Sequence, residues 1–196
     1  TRSVDIVEIS KAVLETSSSY FSDINLGVTR HPKFRYIIMD GANYVALTGR
    51  KYDLILNDSI WPFYSGNSGL YTKEYFENGK QHLNEGGIMT SWLPVEMPVE
   101  SLKTLLQTFH SVFPHVSLWM AVTHYNKHAL IVGSLQPLEI DMGIFMERFE
   151  QYAQADLELI MLDDPVDLLD AFKMDESGFK GWSQDAAIHT LDRPVL

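Results

Sequence analysis

The chain has 196 residues, of which 45% are hydrophobic and 21% are charged, and its net charge is −11. This size suits one main domain with a real core, and the acidic balance excludes a typical nucleic-acid binder, which needs a surface rich in lysine and arginine. The absence of cysteine excludes disulfides and thiolate chemistry. No apolar run approaches the roughly 20 residues that span a bilayer, so no membrane segment is predicted in this chain.

The first part of the chain predicts three strands, each followed closely by an acid. The strands and their acids are residues 4–7 with Glu8, residues 34–39 with Asp40, and residues 52–57 with Asp58. Ser10 is the predicted cap of a helix that runs to Tyr20, and residues 41–47 form a short helix. Strands and helices therefore alternate from the start.

The second part begins with a loop rich in glycine and serine, residues 59–69. Thr72 is the predicted cap of the helix that follows, which ends near residue 83. The remaining predicted elements are a strand at 88–93, a one-sided helix at 102–112, two strands at 116–122 and 129–132 joined by the polar residues 123–128, and amphipathic helices at 142–149 and 165–172. The two joined strands predict an antiparallel hairpin.

This alternation predicts an α/β fold, with a mostly parallel sheet and helices on both faces. The closing antiparallel hairpin suggests the Rossmann-like fold of class I methyltransferases. We expect a nucleoside-binding and catalytic domain over residues 1–135 and a C-terminal helical extension over residues 136–196. Ligands of such sheets bind beyond the carboxyl ends of the strands, where the three acids lie.

Each acid has a functional and a structural interpretation. Glu8 can accept hydrogen bonds from the ribose hydroxyls of an adenosine cofactor, or it is an exposed strand-end acid or a helix cap. Asp40 with Gly41 can contact an adenine amino group, or Asp40 is only an N-cap. Asp58 can take a proton from an amine nucleophile or anchor an ammonium group, or it is a turn residue.

A series of motifs in the chain resembles that of a known protein family. The chain contains Val7-Glu8-Ile9 and Asp40-Gly41-Ala42-Asn43-Tyr44, then the segments 52–59, 69–76 and 83–88, in that order. This succession resembles the spermidine synthase (polyamine aminopropyltransferase) family over roughly residues 4–133. The segments 113–116 and 190–196 resemble a subgroup that is often fused to membrane-spanning segments.

The resemblance implies aminopropyl transfer from decarboxylated S-adenosylmethionine to a putrescine-like amine, with no tightly bound cofactor. Glu8 would hold the ribose, Asp40 with Gly41 the adenine, and Asp58 would accept the proton of the attacking amine. Three further residues are implied in substrate binding: Ser59, Trp61 and Tyr71.

The substrate loop departs from the family pattern. The family loop reads Asp-Ser-Ser-Asp-Pro or close to it, whereas residues 58–62 place Trp61 at the second acid. Trp61 could form a cation–π contact with a polyamine, or it is a packed loop aromatic. Two alternative functions therefore stand beside aminopropyl transfer: a methyltransferase that uses S-adenosylmethionine, and a non-catalytic nucleoside-binding or regulatory module.

A second departure concerns the start of the chain. The glycine-rich cofactor turn and the first strand of the family are expected before Val4 and are missing from this sequence. Residues 4–8 and 52–57 would both pair with that strand, so they must pair with each other, borrow a strand or detach. We expect self-association, hence a homo-oligomer. The expected location is the cytoplasm, with tethering to a membrane by an upstream segment as the alternative.

No metal site is predicted. Four histidines lack a convincing spacing for metal ligands: His110, His115, His124 and His128. The acidic cluster of Asp163, Asp164 and Asp167 is interpreted as a solvated helix end.

Overall fold

The computed structural model describes residues 1–59, 61–64, 66–120, 127–162 and 164–196. They form two compact units, Thr1–Gly49 and Arg50–Leu196, each with a sheet of its own. The boundary predicted after residue 135 falls inside the second unit. Across the described ranges, no helix combines the length and the apolar character needed to cross a bilayer.

The first unit is a parallel pair of strands with two helices. β1 (Val4–Glu8) pairs with β2 (Phe34–Ile38), and the crossover contains α1 (Lys11–Tyr20) and a 3-10 turn (Val28–Arg30). Parallel strands require a long connection of this kind because a tight turn cannot join them. α2 (Gly41–Leu47) follows β2. The four predicted elements of this unit are confirmed.

A buried carboxylate ties α2 to the two strands. The Asp5 side chain on β1 is 5% exposed and accepts hydrogen bonds from Arg35 on β2, at 2.7 Å from Nη2 and 3.1 Å from Nε. The hydroxyl of Tyr44, on α2, donates to the same carboxylate at 3.0 Å. The hydrogen bond to Asp5 raises the pKa of the Arg35 guanidinium. This network fixes α2, whose N-cap Asp40 and first residue Gly41 are predicted site residues.

One local prediction in this unit needs correction. Ser10 occupies the N-cap position of α1, but its side chain makes no capping hydrogen bond. Its backbone N–H instead donates to Glu8 Oε1 at 2.8 Å. The prediction of side-chain capping is wrong because a turn between Glu8 and Ser10 sets the geometry of this connection.

The second unit is built on a mixed five-stranded sheet in the order β3-β4-β6-β5-β7. Its strands are β3 (Tyr52–Asn57), β4 (Leu83–Pro94), β5 (His115–Met120), β6 (His128–Ser134) and β7 (Phe172–Met174). β3 and β4 are parallel, and the other neighbours are antiparallel. The predicted hairpin of β5 and β6 is confirmed. The residues 121–126 of its predicted joint and strand end lie outside the described residues.

The helices of this unit include two that form the aromatic core with the sheet. The helices are α3 (Lys73–Gln81), α4 (Val99–His110), α5 (Met142–Arg148), α6 (Gln154–Glu158), α7 (Pro165–Asp170) and α8 (Glu176–Ser183).

The aromatic core lies between α3, α4 and the sheet. The ring of Phe76 on α3 lies 4.9 Å from that of Phe109 on α4, and the Phe109 ring lies 4.7 Å from that of Phe113, measured between ring centroids. A Cβ at Gly133 on β6 would come within 2.6 Å of Phe109 and Phe113, so glycine is required for this close approach.

Two predictions in residues 136–196 are corrected. The single helix predicted over residues 142–149 is α5 followed by a π-helical turn (Phe149–Ala153) and then α6. The helix predicted over residues 165–172 ends at Asp170, and the next residues form β7 against β5. Phe172 packs against Trp119 at 5.4 Å between ring centroids, so pairing with the sheet overrides the local helical pattern. Of the acidic cluster, Asp163 lies outside the described residues.

Candidate active site

Asp58 directly follows β3, at the carboxyl edge of the five-stranded sheet. The residue is exposed, and within the described ranges its carboxylate has no hydrogen-bonding partner. Substrates of α/β sheets bind beyond this edge. The Asp58 carboxylate is therefore available to a ligand.

The residue before Asp58 is anchored by its side chain. Asn57 is 5% exposed, and its Nδ2 donates to the carbonyl oxygen of Leu70 at 3.0 Å and to Ser91 Oγ at 2.9 Å. Ser91 lies opposite Asn57 in the register of β3 and β4. Breaking such buried hydrogen bonds leaves polar groups unsatisfied, which costs more than the bond itself contributes. The end of β3 is therefore held in place.

The residue after Asp58 is anchored by a buried tyrosine. The hydroxyl of Tyr71 lies 3.2 Å from the carbonyl oxygen of Ser59 and 3.2 Å from that of Trp92, and Tyr71 is fully buried. Burial raises the pKa of Tyr71 to about 12, and the charge of Asp58 acts in the same direction. The hydroxyl therefore stays protonated and donates to the loop.

The residues that bind Asn57 and Ser59, Leu70 and Tyr71, both belong to one short element, the 3-10 turn Ser68–Tyr71. The next residue, Thr72, accepts from the Tyr75 N–H at 3.3 Å and donates to the Gly69 carbonyl at 3.1 Å. The prediction that Thr72 caps α3 is confirmed. The turn is thereby joined to α3 at one end and to both neighbours of Asp58 at the other.

Ser59 and Trp61, also predicted to bind substrate, are half-buried in the loop after Asp58. The hydroxyl of Ser59 is buried without a hydrogen-bond partner among the described residues. Trp61 is half-buried, its carbonyl accepts from Asn67 Nδ2 at 3.2 Å, and its ring lies 6.1 Å from that of Phe63. Direct contact of Ser59, Trp61 or the buried Tyr71 with an amine stays a prediction.

The predicted nucleoside residues lie in the first unit. Glu8 ends β1 and uses Oε1 to accept from the Ser10 amide, whereas Asp40 follows β2 and uses Oδ1 to accept from the Asn43 amide at 2.9 Å. The N-cap interpretation of Asp40 is confirmed. A carboxylate has two oxygens with about four acceptor sites, so each acid retains acceptor capacity. Because β1 and β2 are parallel, Glu8, Asp40 and Gly41 share one edge of their sheet.

The sequence interpretation missed three residues that organise the second unit. Asn57, Ser91 and His189 are each at most 5% exposed although they are polar. The signal for Asn57 was a polar residue that closes an apolar strand. The sequence around His189 does not reveal its partners, because they lie far along the chain.

The histidines considered for metal binding make other contacts. His110 packs against Phe179, His115 pairs with Glu176, and His128 packs against Trp92. His124 lies outside the described residues. In the part of the chain that the structure describes, no group of three histidine or acidic side chains could hold a metal ion.

Comparison with known families identifies the lineage. The model of the spermine/spermidine synthase domain matches residues 1–141. The chain belongs to this family. A polyamine aminopropyltransferase of Serratia proteamaculans is 34% identical over 158 residues, which cover 76% of this chain and 53% of that protein. One of Yersinia pestis is 35% identical over 158 residues, covering 76% and 52%. The chain spans about half the length of these curated relatives.

Solved structures show the same fold. Spermidine synthase from Thermotoga maritima has a TM-score of 0.71 at 17% identity, covering 93% of this chain and 60% of that one. A spermidine synthase in complex with the transition state analogue AdoDATO has a TM-score of 0.66 at 19% identity, covering 78% and 53%. Human methyltransferase-like protein 13 in complex with SAH has a TM-score of 0.59 at 17% identity, covering 79% and 78%. The predicted α/β, Rossmann-like methyltransferase fold is confirmed, with a five-stranded sheet that is mixed rather than mostly parallel.

Proposed function

We propose that the complete protein transfers an aminopropyl group from decarboxylated S-adenosylmethionine to a small amine of the putrescine type. The observation that carries the proposal is Asp58, an exposed carboxylate at the end of β3, with Asn57 and Ser59 anchored on either side of it. Membership of the spermine/spermidine synthase family supports this reaction over other transfers on the same fold.

The proposed role of Asp58 is that of a general base. An ammonium group has no lone pair, so the attacking nitrogen must be neutral when it reacts. Its lone pair forms the new C–N bond, the C–S bond breaks, and that electron pair stays on sulfur as the thioether methylthioadenosine. The nitrogen loses one proton, which the Asp58 carboxylate can accept. Alignment of the amine with the C–S bond supplies much of the rate, and the anchored loop favours such alignment.

The nucleoside would be held by the first unit. Glu8 and Asp40 each keep carboxylate acceptor capacity at the carboxyl edge of β1 and β2, where ribose hydroxyls and an adenine amino group can donate. Gly41 begins α2 without a side chain, so a ring system can approach the backbone closely. These donor and acceptor types fit an adenosine group.

The amine side of the proposal depends on charge and on the loop. The chain has a net charge of −11, and such a field attracts a polycation. Trp61 replaces an acid of the family loop, so this protein has one carboxylate fewer with which to hold a second ammonium group. We therefore expect the preferred amine to differ from that of relatives with the full acidic loop.

Product analysis tests the reaction. The complete protein is incubated with decarboxylated S-adenosylmethionine and putrescine, and we expect methylthioadenosine and the aminopropylated amine in equal amounts. Turnover of S-adenosylmethionine to S-adenosylhomocysteine instead would show methyl transfer and refute the proposal. Nucleoside binding without turnover of any amine would show a binding module.

We also propose that the 196-residue chain self-associates through β3. β3 is an end strand of its sheet, and its side chains Leu54 and Leu56 are 53% and 59% exposed. An apolar edge strand is a template for pairing with another chain. Sedimentation of the 196-residue chain should show an oligomer, and L54K should shift it toward the monomer. A parent chain that sediments as a monomer at all concentrations would refute this.

A further inference from the structure

His189 lies at a junction of four hydrogen bonds in the second unit. It is 1% exposed. Its backbone N–H donates to Thr108 Oγ1 on α4 at 2.9 Å, and its carbonyl accepts from the N–H of Lys73 on α3 at 2.9 Å. The main chain is therefore fixed between two helices, which sets the position of the imidazole ring.

The two ring nitrogens have different partners. Nδ1 lies 3.1 Å from the backbone nitrogen of Val195, and Nε2 lies 3.1 Å from the carbonyl oxygen of Ser68. The Val195 N–H can only donate and the Ser68 carbonyl can only accept. The ring must therefore be neutral, with its hydrogen on Nε2.

The Ser68 carbonyl belongs to the turn that anchors the candidate base. Residues Leu70 and Tyr71 of that turn bind Asn57 and Ser59, the two neighbours of Asp58. We propose that His189 is a positioning residue. While its ring is neutral, it holds this turn through Ser68, and that turn holds residues 57–59. The kinetic part of this inference rests on the proposed aminopropyl transfer, whereas the structural part does not.

Protonation would reverse the hydrogen-bonding role of Nδ1. A second ring hydrogen would face the Val195 N–H, so two donors would oppose each other. The Nε2–H group would still face the Ser68 carbonyl, and that bond breaks only as the ring moves away from Val195. Burial lowers the pKa of His189, against the Ser68 carbonyl and the charge of Glu74, which favour the charged ring. Glu74, on α3, is a charged group that acts on the ring. The partners of His189 on α4 and on the 3-10 turn are Thr108 and Ser68, which are uncharged.

Two amide substitutions separate the two ring contacts. The Gln side chain can place an N–H donor where Nε2 lies, and the Asn side chain can place an oxygen acceptor where Nδ1 lies. H189Q therefore retains the bond to Ser68, and H189N retains the bond from Val195. Neither side chain titrates, so they form a matched pair.

Hydrogen exchange of residues 57–59 and 68–71 tests the structural part. We expect exchange in H189N to be faster than in H189Q by up to about tenfold, which corresponds to the loss of one hydrogen bond. Equal exchange in the two variants would overturn the proposal. If both variants fail to fold, the parent alone decides: after correction for intrinsic rates, these segments should lose protection as the pH falls below about 6.5. Constant protection would overturn it.

The complete protein provides the kinetic test. We expect H189N to lower kcat by roughly tenfold, with a smaller loss in H189Q, while the affinity for methylthioadenosine is kept. The fall of kcat at acidic pH in the parent should shift to lower pH in H189Q. Equal losses of kcat in both variants would overturn the positioning role. If the parent transfers no aminopropyl group, the proposed function fails, and the exchange experiment still decides the role of His189.

Discussion

The hydroxyl of Tyr71 donates to the carbonyl oxygen of Ser59, at a distance of 3.2 Å, from a fully buried ring. The preceding residue, Leu70, accepts from the side chain of Asn57. Two consecutive residues of one turn therefore hold the two residues that flank Asp58. This arrangement leaves the Asp58 carboxylate exposed while its backbone is fixed on both sides.

Removal of the Tyr71 hydroxyl should loosen this loop. We expect Y71F to lower the free energy of unfolding by about 0.5–1.5 kcal/mol, the contribution of one hydrogen bond, and to reduce kcat. Because the pKa of Tyr71 is about 12, the loss should be independent of pH across the neutral range. Urea unfolding and steady-state kinetics measure the two effects. Y64F is the matched control, since Tyr64 lies in the same loop and is 62% exposed. Equal effects of Y71F and Y64F would contradict the anchoring role.

The stability of the protein should fall in mild acid because folding lowers the pKa of two histidines. Burial lowers the pKa of His189 and of His110, whereas an unfolded histidine titrates near about 6.5. At pH values between the lowered pKa of the folded state and about 6.5, the unfolded state binds more protons than the folded state. The free energy of unfolding therefore decreases as the pH falls through this window, and it keeps its full value above the window. The lowered pKa of Asp175 acts only below about pH 4, outside this window.

Urea unfolding at about pH 7.5 and about pH 5.5 measures this dependence. The parent should be less stable at the lower pH, and the double variant H110Q/H189Q should show a smaller difference between the two conditions. H31Q serves as the control because His31 is exposed. A parent that is equally stable at both pH values would refute a lowered pKa for these two histidines.

Substitution of Glu8 should weaken nucleoside binding. We expect E8Q in the complete protein to weaken the binding of methylthioadenosine by about 1–3 kcal/mol, since the hydrogen bond loses its charged acceptor. Calorimetry measures the change. E15Q is the control, because Glu15 is an exposed acid on α1 that pairs with Lys11 at 3.1 Å. Equal affinities of E8Q and the parent would leave Glu8 as a strand-end acid that binds the Ser10 amide.

Local patterns in the sequence predicted much of this structure. The strands that end near Glu8, Asp40 and Asp58 are apolar runs with clear boundaries, and the caps at Asp40 and Thr72 involve partners three residues away. Such features depend on neighbouring residues, so a sequence displays them directly.

Contacts between distant residues were not predictable in this way. His189 binds Ser68 across 121 positions, and Asn57 binds Ser91 across 34. β7 forms because β5 offers it a free edge and Trp119 packs against Phe172, although the local pattern predicts a helix. In each case the deciding partner comes from tertiary packing, which overrides local propensity.

The turnover of D58N in the complete protein tests the central claim most directly. We predict that kcat falls by about 10²–10⁴-fold, the usual contribution of a general base, while the affinity for methylthioadenosine stays unchanged. D53N is the control, since Asp53 is an exposed acid on β3 that accepts from Asn84 at 2.7 Å, and it should keep the parent's kcat. A D58N variant that transfers the aminopropyl group at the parent's rate with the preferred amine would contradict the account.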